Sequence, residues 1–208
     1  VLRELLKEAK RVFVIGLGNR NITPDALGPS VVDHLYITRH LLREGVVYNS
    51  MEISALCPGV MAQTGIETST IIQSLCSEVN PDVVICIDAL AAREAERLNT
   101  TIQVCDTGIT PGAGVGNRRL SLNEETLGVP VVAIGVPTVI SMPAMISHAV
   151  EALLEKLPLS VLRQYEKEIG EFVQTPAVSS MFVTPKNIDE LIRRVSYTIS
   201  EAINRFLT

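Results

Sequence analysis

Three runs of this sequence are apolar without alternation: Val12-Phe-Val-Ile-Gly-Leu17, Val83-Val-Ile-Cys-Ile87 and Val131-Val-Ala-Ile-Gly-Val136. A strand with one wet face alternates polar and apolar residues, so a continuous run of this length belongs to a strand covered on both faces. That requirement admits few architectures. The spacing predicts strands at 11–18, Val46–Leu56, Asp82–Ile87, Thr101–Cys105 and Val129–Val136, the last bounded by Pro130 and Pro137. Helices are predicted at Leu2–Lys10, Gly28–Arg43, Ile66–Val79, Met142–Leu157, Leu159–Ile169 and Asn187–Phe206, with Gln174–Ser180 as a flexible stretch. Strands alternating with helices give an α/β fold, with a mostly parallel, twisted sheet and helices on both faces in three layers. One domain over residues 1–208 accounts for the pattern, and no repeat or low-complexity tract interrupts it.

Composition narrows the function. Eighteen Lys+Arg against 23 Asp+Glu leave a net charge of -5 without a basic stripe, which argues against nucleic acid as a direct partner. Aromatic residues are only 4% and Trp is absent, so the core must be aliphatic. No apolar run approaches the ~20 residues that span a bilayer, and no signal-peptide pattern opens the chain. The expectation is a soluble intracellular protein, and the initial Val fits a trimmed or processed N-terminus. Cys57, Cys76, Cys86 and Cys105 form no CxxC pair. Cys86 and Cys105, in strand-like runs, are expected to be buried free thiols.

In a parallel sheet, function collects in the loops beyond the carboxyl ends of the strands. Four such loops are unusual here: Gly18–Pro29, which Asn19 opens, Cys57–Ser69, the segment from Asp88 to Arg93, and Asp106–Asn117. Asp25 sits in a Pro-Asp-Ala-Leu-Gly-Pro turn before a helix, and Asp88 ends an apolar run. If their strands are neighbours, both carboxylates face one crevice and share a proton. One then activates a water and the other protonates the leaving amine. The competing roles are a helix N-cap for Asp25 and a turn former for Asp88.

Other chemistries find less support. Gly16-Leu-Gly18 is followed by Asn21 where a dinucleotide fingerprint needs its third glycine, and Gly112-Ala-Gly-Val-Gly116 lacks the Lys-Ser/Thr of a P-loop. His34, His40 and His148 are scattered, so no metal ligand set and no cofactor is expected. Cys57 has no histidine nearby in sequence to activate it. Thr64, Gly65 and Glu67 open a predicted helix, where Thr64 and Glu67 fit a capping box. The same residues, with Asn19, Asn117 and the exposed backbone of Gly112, Gly114 and Gly116, are the candidates for holding an extended substrate.

Taken together, Asn21–Pro29, Cys57-Pro-Gly-Val-Met61, Thr64–Ser69, Ile87-Asp-Ala-Leu-Ala-Ala-Arg93 and Pro111–Asn117 resemble the germination protease family of spore-forming bacteria. Ile37–Leu41, Thr126–Pro130, Ala133–Thr138 and Val183–Lys186 extend the resemblance in order along most of the chain. It implies an endopeptidase of atypical aspartic type that degrades small acid-soluble spore proteins during germination, in the cytoplasm of the spore core. It further implies a zymogen, a homotetramer, and a fold like that of hydrogenase maturation proteases and, more distantly, nucleoside phosphorylases. The family's two proposed catalytic aspartates carry over to Asp25 and Asp88. The family's propeptide region lies outside this sequence, which opens nearly at the first strand, and the stretch between Leu157 and Met181 is shorter than the family's. Thr110 stands where well-known members carry His, and Asp25-Ala26 replaces the acidic dipeptide of the metal-binding maturation enzymes. A metallopeptidase of that type, and a nucleotide-binding or non-catalytic module, are the alternatives.

Overall fold

The computed structural model describes residues 4, 6, 9–47, 50–112, 120–154 and 167–207. Six strands form one sheet: β1 (Arg11–Gly16), β2 (Glu52–Leu56), β3 (Val83–Ala92), β4 (Gln103–Cys105), β5 (Val131–Ser141) and β6 (Phe182–Val183). The order is β2-β1-β3-β5-β4, with β6 also paired to β5. The pairs among β2, β1, β3 and β5 are parallel, whereas β4 and β6 run antiparallel to β5. The sheet is therefore mostly parallel, as its unbroken apolar strands require.

Eight helices carry labels here: α1 (Leu27–Val32), α2 (Arg39–Arg43), α3 (Met61–Thr64), α4 (Thr68–Val79), α5 (Glu124–Leu127), α6 (Met142–Leu154), α7 (Pro176–Ser179) and α8 (Ile188–Leu207). One face of the sheet, with Val12, Val14, Ile85, Ile87, Val132 and Ile134, packs on Leu27 and Val31 of α1 and on Ile188, Ile192, Ile199 and Ile203 of α8. The other face, with Phe13, Ile15, Val84 and Cys86, packs on Ile72 and Cys76 of α4 and on Leu127 of α5. Alternate residues of one strand thus feed two separate aliphatic cores, which is why the strands carry no polar period. Among the described residues no helix is long and apolar enough to cross a membrane.

Two joints hold the ends of the sheet. At the amino end, Asp82 Oδ2 accepts from the backbone N–H groups of Lys10 and Arg11, and its Oδ1 accepts from the Arg11 guanidinium at 2.7 Å. These bonds pull its carboxyl down to about 2. At the carboxyl end, Leu17 N–H donates to Ile87 O at 2.8 Å, tying the exit of β1 to β3.

Several elements depart from expectation. The helix expected over Gly28–Arg43 breaks between α1 and α2, because the Tyr36 amide donates to Asn204 Oδ1 and the Thr38 amide to Ile53 O. Those tertiary partners replace intrahelical ones. The second strand starts at Glu52 rather than Val46, since the Val46 amide bonds to the Leu41 carbonyl at the end of α2. β3 does not stop at Ile87 but runs to Ala92, and β5 passes through Pro137 to Ser141. A proline without an N–H survives inside β5 because the register shifts there: Leu90 pairs with Pro137 and Ala91 with Val139, leaving Thr138 as the extra residue of a bulge.

The remaining differences are local. The Thr64–Glu67 capping box does not form: Glu67 itself is the N-cap of α4, and the Thr64 hydroxyl bonds to Ile66. The stretch expected to be flexible contains α7, anchored by the buried Val178. Cys105 is exposed rather than buried, because among the described residues short β4 pairs along one edge only, with β5. Most of the helices expected at Leu2–Lys10 and Leu159–Ile169 falls outside the described residues.

Candidate active site

The site is built where β1 and β3 part company. β1 ends at Gly16, paired with Ile87, while β3 continues. The chain then leaves β1 through Leu17 and Gly18, closes a 3-10 turn at Thr23–Asp25, and enters α1. This return is tight because it is lined with glycine. Gly18 has φ +107°, and a Cβ there would stand 2.0 Å from the Asp25 carbonyl oxygen. A Cβ on Gly28 would lie 2.4–2.6 Å from backbone atoms of Leu17 and Ile87. The turn bearing Asp25 is thereby pressed against the exit of β1 and the flank of β3.

Asp88 lies one residue past the last β1–β3 pair, opposite Gly135 of β5. It shares the sheet face of Val84 and Cys86 by the two-residue period of the strand. It is only 5% exposed. Its Oδ1 accepts from the Ala89 amide at 2.9 Å. Burial first, and then the nearby charge of Asp25, push its carboxyl up to about 7. Asp25 Oδ2 in turn accepts from the Asn19 amide at 2.7 Å. Burial disfavours the charged form of Asp88, while the Asn19 N–H fixes where the Asp25 carboxylate stands.

Both aspartates line one cavity of about 960 Å³. Its floor is the β3–β5 pair at Ala89–Ala92, Ala133, Gly135 and Pro137, and Ile22, Ile109 and Phe182 supply apolar walls. Gly112 lines it as well, with φ +69°. The reason foreseen for that loop is wrong, however. It was expected to leave a parallel strand at its carboxyl end, but β4 is antiparallel to β5, and the loop folds back through an Ile109–Leu122 bridge. Gly114, Gly116 and Asn117 lie outside the described residues.

Thr64, Gly65 and Glu67 are not among the lining residues, and neither is Asn19. The expectation that 64–69 borders the cavity is not met: Gly65 adopts the left-handed C-cap of α3, and Glu67 stands at the N-cap position of α4 without a side-chain capping bond. Asn19 lies next to the site in another sense. Its amide holds Asp25, while its side-chain oxygen accepts from Gln63 Nε2 at 2.8 Å.

Sequence reasoning missed Arg93, Arg97, Cys105, Thr138, Phe182 and Thr184, all of which line the cavity. Arg93 stood in a quoted motif and could have been found there. Thr138 and Thr184 likewise lie in the Ala133–Thr138 and Val183–Lys186 stretches of the resemblance, whereas Phe182 arrives from the C-terminal segment without such a signal. Cys57 is half-buried, and burial pushes its thiol up, the wrong direction for a nucleophile. Among the described residues no group of three or more His, Cys, Asp or Glu is placed to hold a metal ion.

Comparison with known proteins supplies the kinship. Residues 2–167 match the family described as germination protease. The chain belongs to the germination protease family. It is 44% identical over 96% of its length to a germination protease of Clostridium perfringens, and 47% identical over 96% to one of Caldanaerobacter subterraneus. A Bacillus velezensis germination protease is 57% identical across 69% of this chain. The chain spans 66% of the length of the clostridial and Caldanaerobacter relatives. Among solved structures, a [NiFe] hydrogenase maturation protease HycI from Thermococcus kodakarensis aligns over 98% of both chains, at 18% identity and a TM-score of 0.49. The cavity thus lies in a chain of the germination protease family, and Phe182 and Thr184 enter it from beyond residues 2–167.

Proposed function

We propose that this chain is an endopeptidase that hydrolyses small acid-soluble spore proteins by means of Asp25 and Asp88, without a metal or other cofactor. The observation that carries this reading is a buried carboxyl, Asp88, raised to about 7 beside the charge of a second carboxyl in one cavity. Asp88 keeps its proton up to neutrality and is the acid that protonates the leaving amine. Asp25, charged and held by the Asn19 amide, is the base that draws a proton from the attacking water. The two titrate as a pair, so the roles belong to the pair's singly protonated state. That pairing of a neutral and an ionised carboxyl supports acid–base hydrolysis near neutral pH.

An extended peptide suits the cavity. Its walls are largely apolar, Gly112 lines it, and exposed Arg93 and Arg97 add positive charge. Asn117, Gly114 and Gly116 remain candidates for backbone contacts, and Asn19 acts through Asp25. Kinship with the germination proteases supports spore proteins as substrates, the spore core as the location and a homotetramer as the assembly.

The test is cleavage of a peptide from a small acid-soluble spore protein, with and without chelator. Turnover that is unchanged by chelator is expected. Loss of turnover that zinc restores would make the protein a metallopeptidase of the hydrogenase-maturation type instead. Absence of cleavage together with nucleotide binding would leave a non-catalytic module.

A further inference from the structure

The residues of the Thr23–Asp25 turn are half-buried, so hydrogen bonds add to the close packing at Gly18 in fixing where Asp25 stands. Asn19 holds the carboxylate from one side. From the other side a polar relay reaches the backbone of the turn. Thr138 Oγ1 donates to the Pro24 carbonyl at 2.7 Å, and Thr184 Oγ1 donates to the Thr138 carbonyl at 2.9 Å. Thr138 is 1% exposed, and its position is unusual: it is the bulge residue left without a partner on β3 after Pro137 shifts the register. A bulge re-aims the side chain of its extra residue, and here the hydroxyl meets a turn 114 residues away in sequence, which carries one carboxylate of the site.

We propose that Thr138, oriented by Thr184, is a positioning residue that sets the Asp25 carboxylate against Asp88. The inference rests on the reading of Asp25 as the general base. A hydroxyl buried between a strand and a turn has two possible uses, stability and placement, and they separate experimentally. If Thr138 only stabilises, its loss lowers the melting temperature and leaves the chemistry of the folded protein alone. If it places Asp25, its loss changes how the two carboxyls sense each other, because the charge of Asp25 is one of the causes that raise Asp88.

Thr138→Val keeps the shape and removes the donor, whereas Thr138→Ser keeps the donor. Two readings are taken on each folded variant: the titration of Asp88, followed by carboxyl-carbon NMR, and kcat and KM on a spore-protein peptide. For Thr138→Val the Asp88 midpoint is expected to fall below that of the parent. Its kcat should drop roughly 10- to 100-fold with KM within about twofold, the signature of a displaced catalytic group. Thr138→Ser should restore both, and Thr184→Val should shift both in the same direction by less. Thr184→Val also serves as the test if Thr138→Val does not fold. A parent-like midpoint and kcat in the valine variants, or an equal loss in Thr138→Ser, overturns the proposal. If Asp25→Asn retains turnover while Thr138→Val still moves the Asp88 midpoint, the base assignment fails and the positioning role stands.

Discussion

At pH 8 the Asp88→Asn variant should melt roughly 10 °C above the parent protein and lose nearly all of its turnover. The sign follows from where Asp88 holds its proton. Its carboxyl moves from an ordinary 3.8 to about 7 on folding. Between those values the folded chain binds a proton that the unfolded chain has released, so stability declines as pH rises from about 4 to 7 and then levels off. Carrying that buried charge costs on the order of a few kcal/mol. Asparagine carries no charge to bury and still accepts from the Ala89 amide, so it escapes that cost. The gain should shrink below pH 7 and vanish near pH 4.

Activity moves the other way. Asp88→Asn removes the acid and Asp25→Asn removes the base, and each should lower turnover by ~10²–10⁴-fold. Calorimetry at pH 4, 6 and 8 and turnover of a spore-protein peptide measure the two effects on one preparation. A melting difference independent of pH would refute the buried charge, and normal turnover in either variant would remove that residue from the mechanism.

Gly28→Val is expected to cost about 3 kcal/mol or more, because the added atoms meet backbone rather than movable side chains. A Cβ there stands 2.4 Å from the Leu17 oxygen, 2.5 Å from the Leu17 nitrogen and 2.6 Å from the Ile87 oxygen. The helix must back away from the sheet, which also strains the Leu17–Ile87 bond and carries the Asp25 turn with it. A fall of roughly 10 °C in melting temperature should therefore accompany loss of turnover in whatever remains folded. A parent-like melting temperature would mean that the packing of α1 on the sheet is looser than the described contacts.

Much of this was legible before any coordinates. Unbroken apolar runs and their spacing are properties of single segments, so the parallel core and its two helix layers could be read directly. Asp25 and Asp88 could be paired because each follows such a run. What stayed hidden depends on contacts between distant segments. Pro137 reads as a strand end, since nothing local announces a bulge that accommodates it. Ala89–Ala92 reads as the start of a loop, yet pairing with β5 keeps it extended. Thr64 and Glu67 look like a substrate-facing motif, yet they stand beside the start of α4, outside the cavity lining. Thr184 belongs to the site only because antiparallel β6 brings it there.

The β3–β5 ribbon has a consequence for how the molecule breathes. Up to Ile87, β3 is clamped by a strand on each side, but from Asp88 onward its only strand partner among the described residues is β5. The first part can open only when the whole sheet opens. The second can fray alone at a smaller free energy, in a smaller cooperative unit. Amide protons from Ala89 to Ala92 therefore exchange with solvent ahead of those from Val84 to Ile87. Asp88 sits at the seam, anchored in the part of the sheet that melts last and facing the part that loosens first.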